Sequence, residues 1–112
     1  MLIYKIFRAN EWAAFEAQGE TLGAPIDLSD GFVHFSTGKQ AAETAAKHFA
    51  DVQGLLLLAF DAEAMGAELK WEVSRGGAKF PHLYRALKLD EMLWCKPLPL
   101  ADGQHQFPAG VL

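Results

Sequence analysis

His34 and Ser36 alternate with apolar residues in the run GFVHFSTGKQ, residues 31–40. On an extended strand Phe32, His34 and Ser36 project to one face, with the imidazole and the hydroxyl about 6–7 Å apart along it. A ligand across that face would meet a proton-transfer group and a hydrogen-bonding hydroxyl. The structural alternative is that His34 bonds a neighbouring carbonyl and Ser36 belongs to the cap of the following helix. One of the two must hold, since an unpartnered buried polar group costs about 1–3 kcal/mol.

Further along, LKWEVSRGGAKFPHLY gathers the remaining candidates. Glu72 lies between Trp71 and Val73, so a strand there would project its carboxylate from the polar face as a base or as an acceptor for sugar hydroxyls; pairing with Lys70 or a cross-strand cation is the structural alternative. Arg75 supplies a fork of donors suited to phosphate, and Gly76 and Gly77 let backbone approach a ligand closely. An ordinary glycine turn with a surface arginine would read the same way. His82, fixed by Pro81, and Tyr84 add an imidazole and an amphipathic ring that can stack on a base or fill the edge of the core. No GxGxxG, P-loop or HExxH occurs, so no conventional nucleotide or zinc motif is present and no metal site is expected.

The elements that must hold these residues follow from periodicity. LIYKIF reads as a first strand in which Lys5 is the one polar residue. NEWAAFEAQG predicts a short amphipathic helix with Asn10 as N-cap and Gly19 as its stop. Residues 20–31, rich in Gly, Pro, Asp and Ser, predict a loop. Thr37 with Gln40 is a capping-box pattern that opens a helix from Gly38 to about Ala50. LLLLAF does not alternate and predicts a strand covered on both faces, and Asp61 can cap the short turn after it. ELKWEVS alternates as a strand should, FPHLY reads as a loop or broken strand because of Pro81, and LDEMLWCKPL predicts a last strand ended by Pro97 and Pro99. The segment 101–112 reads as a loose tail.

A chain of 112 residues with 51% hydrophobic and 21% charged residues is expected to be one globular domain, residues 1–112. Its net charge of −4 argues against binding the nucleic-acid backbone, although Lys5, Arg75, Lys79 and Arg85 could still form a small basic pocket. The single Cys95 has no disulfide partner within the chain. No apolar run approaches the ~20 residues that span a bilayer, and Lys5 and Arg8 interrupt what would have to be the core of a secretory signal. The expected setting is the cytoplasm, without membrane contact.

IYKI, GFVHFST, LLLLAFD, LKWEVSRGGAKFPHLYRAL and LPL together resemble the bacterial domain of unknown function 952 over nearly the whole chain. That resemblance implies an α+β fold like the ADP-ribosyltransferases: a compact single domain with a split, mainly antiparallel β-sheet, two main helices and a cleft that binds NAD in active relatives. Laid on this chain by motif, it implies Lys5, His34 and Glu72 as site residues with Arg75 as a phosphate partner, and NAD as a substrate with no other cofactor. Joined to the reading of the residues above, the expected site has His34 and Glu72 as catalytic and Lys5, Ser36, Arg75, Gly76, His82 and Tyr84 as binding residues. Lys5 stands where IYHI is usual in that family, which alters the position of a ribose-holding histidine.

Two functions follow as expectations. In the first, the cleft binds NAD or an ADP-ribose-like nucleotide and catalyses ADP-ribosyl transfer or glycohydrolysis. In the second, a non-catalytic module binds a small anionic metabolite or a protein partner.

Overall fold

In the computed structural model residues 1–112 are described, apart from the side chain of Arg75. The architecture is α+β, built on two three-stranded antiparallel sheets. The first contains β1 (Leu2–Phe7), β4 (Leu55–Asp61) and β8 (Met92–Leu98) in the order β1-β4-β8; the second contains β3 (Val33–His34), β6 (Lys79–Leu83) and β5 (Leu69–Val73) in the order β3-β6-β5. Short strands β2 (Glu20–Thr21) and β7 (Leu87–Lys88) pair with each other, as do β9 (Leu100–Ala101) and β10 (Gln104–His105).

β4 is central and covered on both faces, as its unbroken apolar run requires. On one face Leu55, Leu57 and Ala59 meet Tyr4, Ile6 and the helix α3 (Gly38–His48) through Ala45. On the other, Leu58 and Phe60 meet Ile3, Phe7 and Phe15, the one buried residue of α1 (Ala9–Gln18). Thr37 and Gln40 close the expected capping box, Thr37 N–H donating to Gln40 Oε1 at 3.0 Å and Gln40 N–H to Thr37 Oγ1 at 3.3 Å. Asp61 likewise caps the short turn at 62–64 by accepting from Glu63 N–H.

Four expectations need correction. α1 begins one residue before Asn10, with Arg8 at the N-cap, because Glu11 Oε1 reaches back to Arg8 N–H at 2.8 Å. Residues 20–31 are not all loop: they form β2 and a third, short helix α2 (Pro25–Asp30), started by Pro25 in its first turn and closed by Gly31 at φ +86°. The segment 101–112 is packed rather than loose, since Val111 is buried beside α3 and His105 Nε2 lies 2.8 Å from Val52 O. Gly38 permits this docking, because a β-carbon there would fall 1.8 Å from Val111 O. Finally, KFPHL is the middle strand of its sheet despite Pro81.

The place of Pro81 is explained by the split between the sheets. Phe35 N–H donates to Pro81 O at 2.9 Å, so Pro81 turns its imino nitrogen toward the end of β3. There the chain leaves β6 and bridges β1 instead, Tyr4 and Ser36 exchanging both backbone hydrogen bonds at 2.8 and 2.9 Å. The missing N–H thus falls where the ladder ends, and proline costs nothing. Beyond Tyr4 the edge of β1 diverges from the second sheet, which opens a cleft.

Candidate functional site

That cleft has a volume of about 810 Å³ and reaches from Tyr4 and Ile6 on β1 to Phe80 and His82 on β6, with Ser36 and Thr44 between them. The size is ordinary for a small-molecule site. Along β1, Tyr4 directs its N–H and C=O at Ser36, and Ile6, two residues on, directs its own the same way. Among the described residues strand pairing on this edge stops at Tyr4, so Ile6 offers a backbone donor and acceptor to the cleft.

One wall is organised by Asp27, which is 1% exposed. Its carboxylate accepts four hydrogen bonds: Lys5 Nζ and Ala24 N–H on Oδ2, each at 2.7 Å, and His34 N–H and His34 Nδ1 on Oδ1, at 3.0 and 2.5 Å. Burial alone would raise the pKa of this carboxyl, but the His34 hydrogen bond and the Lys5 charge outweigh it and hold the group below the usual carboxylate range. Lys5 is shifted down by its own burial, against the opposing pull of Asp27. Lys5 Nζ also donates to His34 O at 2.9 Å, tying β1 to β3 across the mouth of the split. Gly23, at φ +105°, makes room for the Asp27 carboxylate; a β-carbon there would sit 2.1 Å from Oδ2.

His34 is held at both ring nitrogens, by Asp27 on Nδ1 and by Asp30 Oδ2 3.0 Å from Nε2. Neither nitrogen is open to a ligand while Asp30 stays in place. His82 differs. Its Nδ1 lies 2.9 Å from Glu72 Oε1, which also accepts Tyr84 O–H at 2.6 Å. The Tyr84 and His82 hydrogen bonds hold Glu72 below its ordinary pKa, so the carboxylate accepts and Nδ1 donates. This leaves Nε2 of a buried, cleft-lining ring with no partner among the described residues.

Phe32 sets the ring positions. Its centroid is 4.2 Å from His82 in a stacked arrangement, 4.6 Å from His34 and 5.1 Å from Tyr84. Because Glu72 sits opposite Phe80 and Lys70 opposite His82, Glu72 and His82 are diagonal neighbours on one face of the sheet.

The structure therefore brings Lys5, His34, Ser36 and His82 into one cleft, with Ser36 Oγ 3.2 Å from Thr44 Oγ1. Glu72 stands behind His82 and does not line the cleft; Tyr84 lines a smaller hollow of about 270 Å³ on the far side with Arg85. Gly76 lies in a turn at φ +70°, outside the cleft lining, and the expected phosphate role of the Arg75 side chain falls outside the described residues. The conjectured basic pocket does not form among the others. Lys5 is neutralised by Asp27, and Arg85 is held in a fork by Glu91 at 2.8 and 2.6 Å with Met65 O at 3.0 Å.

Sequence reasoning missed Asp27 and the organising role of Phe32. The signal for Asp27 was indirect: a lone lysine on an apolar strand demands a buried counter-charge, and Pro25-Ile-Asp27 has the proline and acid of a helix start.

Fold and site define an α+β protein with a split antiparallel sheet and an aromatic, histidine-bearing cleft at the split. The chain belongs to the family described as "Protein of unknown function (DUF952)", whose model matches residues 6–95. It is similar to protein CC0527 from Caulobacter crescentus. The X-ray structure of that protein is 54% identical, with 95% of this chain and 94% of that chain covered and a TM-score of 0.90. Its solution NMR structure aligns at 52% identity over 93% and 90%, with a TM-score of 0.84. No curated protein matches the chain.

Proposed function

We propose that the cleft binds NAD or a related ADP-ribose-containing nucleotide, in an arrangement like that of the ADP-ribosyltransferase fold. The observation that carries this reading is the coincidence, at the split, of an unpaired backbone edge at Ile6, the cleft-lining aromatic residues Tyr4 and Phe80, and the unpartnered His82 Nε2. A strand edge with one donor and one acceptor complements a primary carboxamide, aromatic walls take flat rings, and hydroxyls such as Ser36 and Thr44 suit a ribose.

In this reading His82 contacts the ligand and Glu72 positions it, in the way a buried acid orients an imidazole for proton transfer. Cleavage would break the bond between ribose C1′ and the nicotinamide nitrogen, the pair of electrons leaving with neutral nicotinamide. A nucleophile would add to C1′ and pass its proton to His82 Nε2. With water as nucleophile the products are nicotinamide, ADP-ribose and a proton. His34, locked by Asp27 and Asp30, shapes the wall, and Arg8 at the cleft rim is a cation for the diphosphate.

Isothermal titration with NAD, ADP-ribose and inorganic phosphate tests the proposal. Saturable binding of the nucleotides, weakened about tenfold in His82→Ala by loss of a buried hydrogen bond, is expected. Absence of heat with either nucleotide at millimolar concentration would overturn it.

A further inference from the structure

The second sheet ends in an unprotected edge. β5 pairs with β6 alone, and nothing among the described residues pairs with its other side. The direction of its backbone groups follows from Pro81, which faces β3 and stands opposite Trp71. Trp71–Pro81 is therefore a non-hydrogen-bonded pair, so Trp71 and Val73 point their N–H and C=O groups outward, as does the Leu69 carbonyl, while Leu69 N–H is donated to Gly66 O at 3.3 Å. The neighbouring bonds agree: Tyr84 N–H donates to Glu68 O, and Ser74 N–H to Ala78 O, placing the even-numbered residues toward β6. Trp71 and Val73 are also 38% and 66% exposed.

Outer strands of monomeric proteins are usually blunted by proline, bulges or inward charges. β8, the outer strand of the first sheet, carries Lys96 and Pro97. β5 carries Lys70 but no proline, and in its self-complementary sequence that charge is matched by Glu72. Laid antiparallel on a second β5 about Trp71, it sets Leu69 opposite Val73, Lys70 opposite Glu72 and Trp71 opposite Trp71. The two Trp71 residues exchange backbone hydrogen bonds, and Val73 N–H on each strand meets the Leu69 carbonyl of the other. Lys70 and Glu72 occupy non-hydrogen-bonded pairs, where side chains lie closest and opposite charges help most. The other face carries a continuous strip of Leu69, Val73 and Trp71 from both copies.

We propose that a second copy of this chain docks on β5 in this two-fold register, joining the β3-β6-β5 sheets of two molecules into one. The contact is isologous, so it closes as a dimer. The charge palindrome Lys70–Trp71–Glu72 selects a second copy over an unrelated strand.

Sedimentation equilibrium of the full chain over a wide concentration range tests this, with folding of each variant checked by circular dichroism. Wild type is expected to approach twice the chain mass. Lys70→Glu, which sets like charges opposite one another twice, should weaken dimerisation by about tenfold, and high salt, which screens exposed charges, should narrow that difference. Val73→Pro, which removes an outward N–H without breaking a ladder bond within the monomer, should also give monomer. A wild type that stays monomeric at millimolar concentration, or single variants that dimerise as wild type does, would overturn the proposal.

Discussion

Lys5 Nζ and Asp27 Oδ2 lie 2.7 Å apart in the interior, and this pair joins β1 to α2 at the mouth of the cleft. Both side chains are buried, so removing one strands the other without solvent. Asp27→Ala or Lys5→Met should destabilise the protein by about 3–5 kcal/mol, while Lys5→Met with Asp27→Leu should cost well under the sum of the two. Urea unfolding of the four species measures this cycle; strictly additive losses would count against the coupling.

The same carboxylate sets part of the acid limb. Because the Asp27 pKa is lower in the folded than in the unfolded chain, the unfolded state binds more protons between those two values. Its contribution is complete above the unfolded value of about 3.9 and is lost as pH falls through the folded one. Glu91, held low by Arg85, acts in the same direction. The stability difference between wild type and Asp27→Asn should therefore shrink as acid is added below about pH 4, as read by chemical unfolding at a series of pH values. A difference that is flat with pH would contradict the shift.

Glu72 governs Tyr84 as well as His82. The phenol is pushed up by its hydrogen bond to Glu72. Glu72→Gln should bring that pKa down toward the ordinary tyrosine value of about 10, seen in the ultraviolet absorbance of phenolate. Tyr84→Phe separates this titration from that of Tyr4, which burial raises.

Gly38→Ala drives a methyl group against Val111 O and should cost about 1–3 kcal/mol. Limited proteolysis should then release the segment after His105 sooner than in wild type. Unchanged melting and cleavage would show that the C-terminal segment gives way without cost.

What was legible in the sequence divides by mechanism. β1 and β4 followed from short apolar runs of strand length, and the Thr37-capped α3 from its apolar stripe at helical spacing and a cap whose two partners sit three residues apart. α2 was hidden because its six residues, Pro25–Asp30, are too few to show a helical period, and β6 because Pro81 argues against a central strand until the split beside it is known. His34, Ser36 and His82 could be named from residue type. Their roles could not: whether an imidazole is locked, as His34 is by Asp27 and Asp30, or open, as His82 is, depends on partners brought from other elements.

The most direct test of the nucleotide reading is an amide NMR titration of the labelled protein with NAD and then ADP-ribose. Localised, saturable shifts at Ile6, Ser36 and His82, with Leu93 on the outer strand unmoved, are predicted. No shift at these positions at millimolar ligand would contradict the assignment of the cleft to a nucleotide.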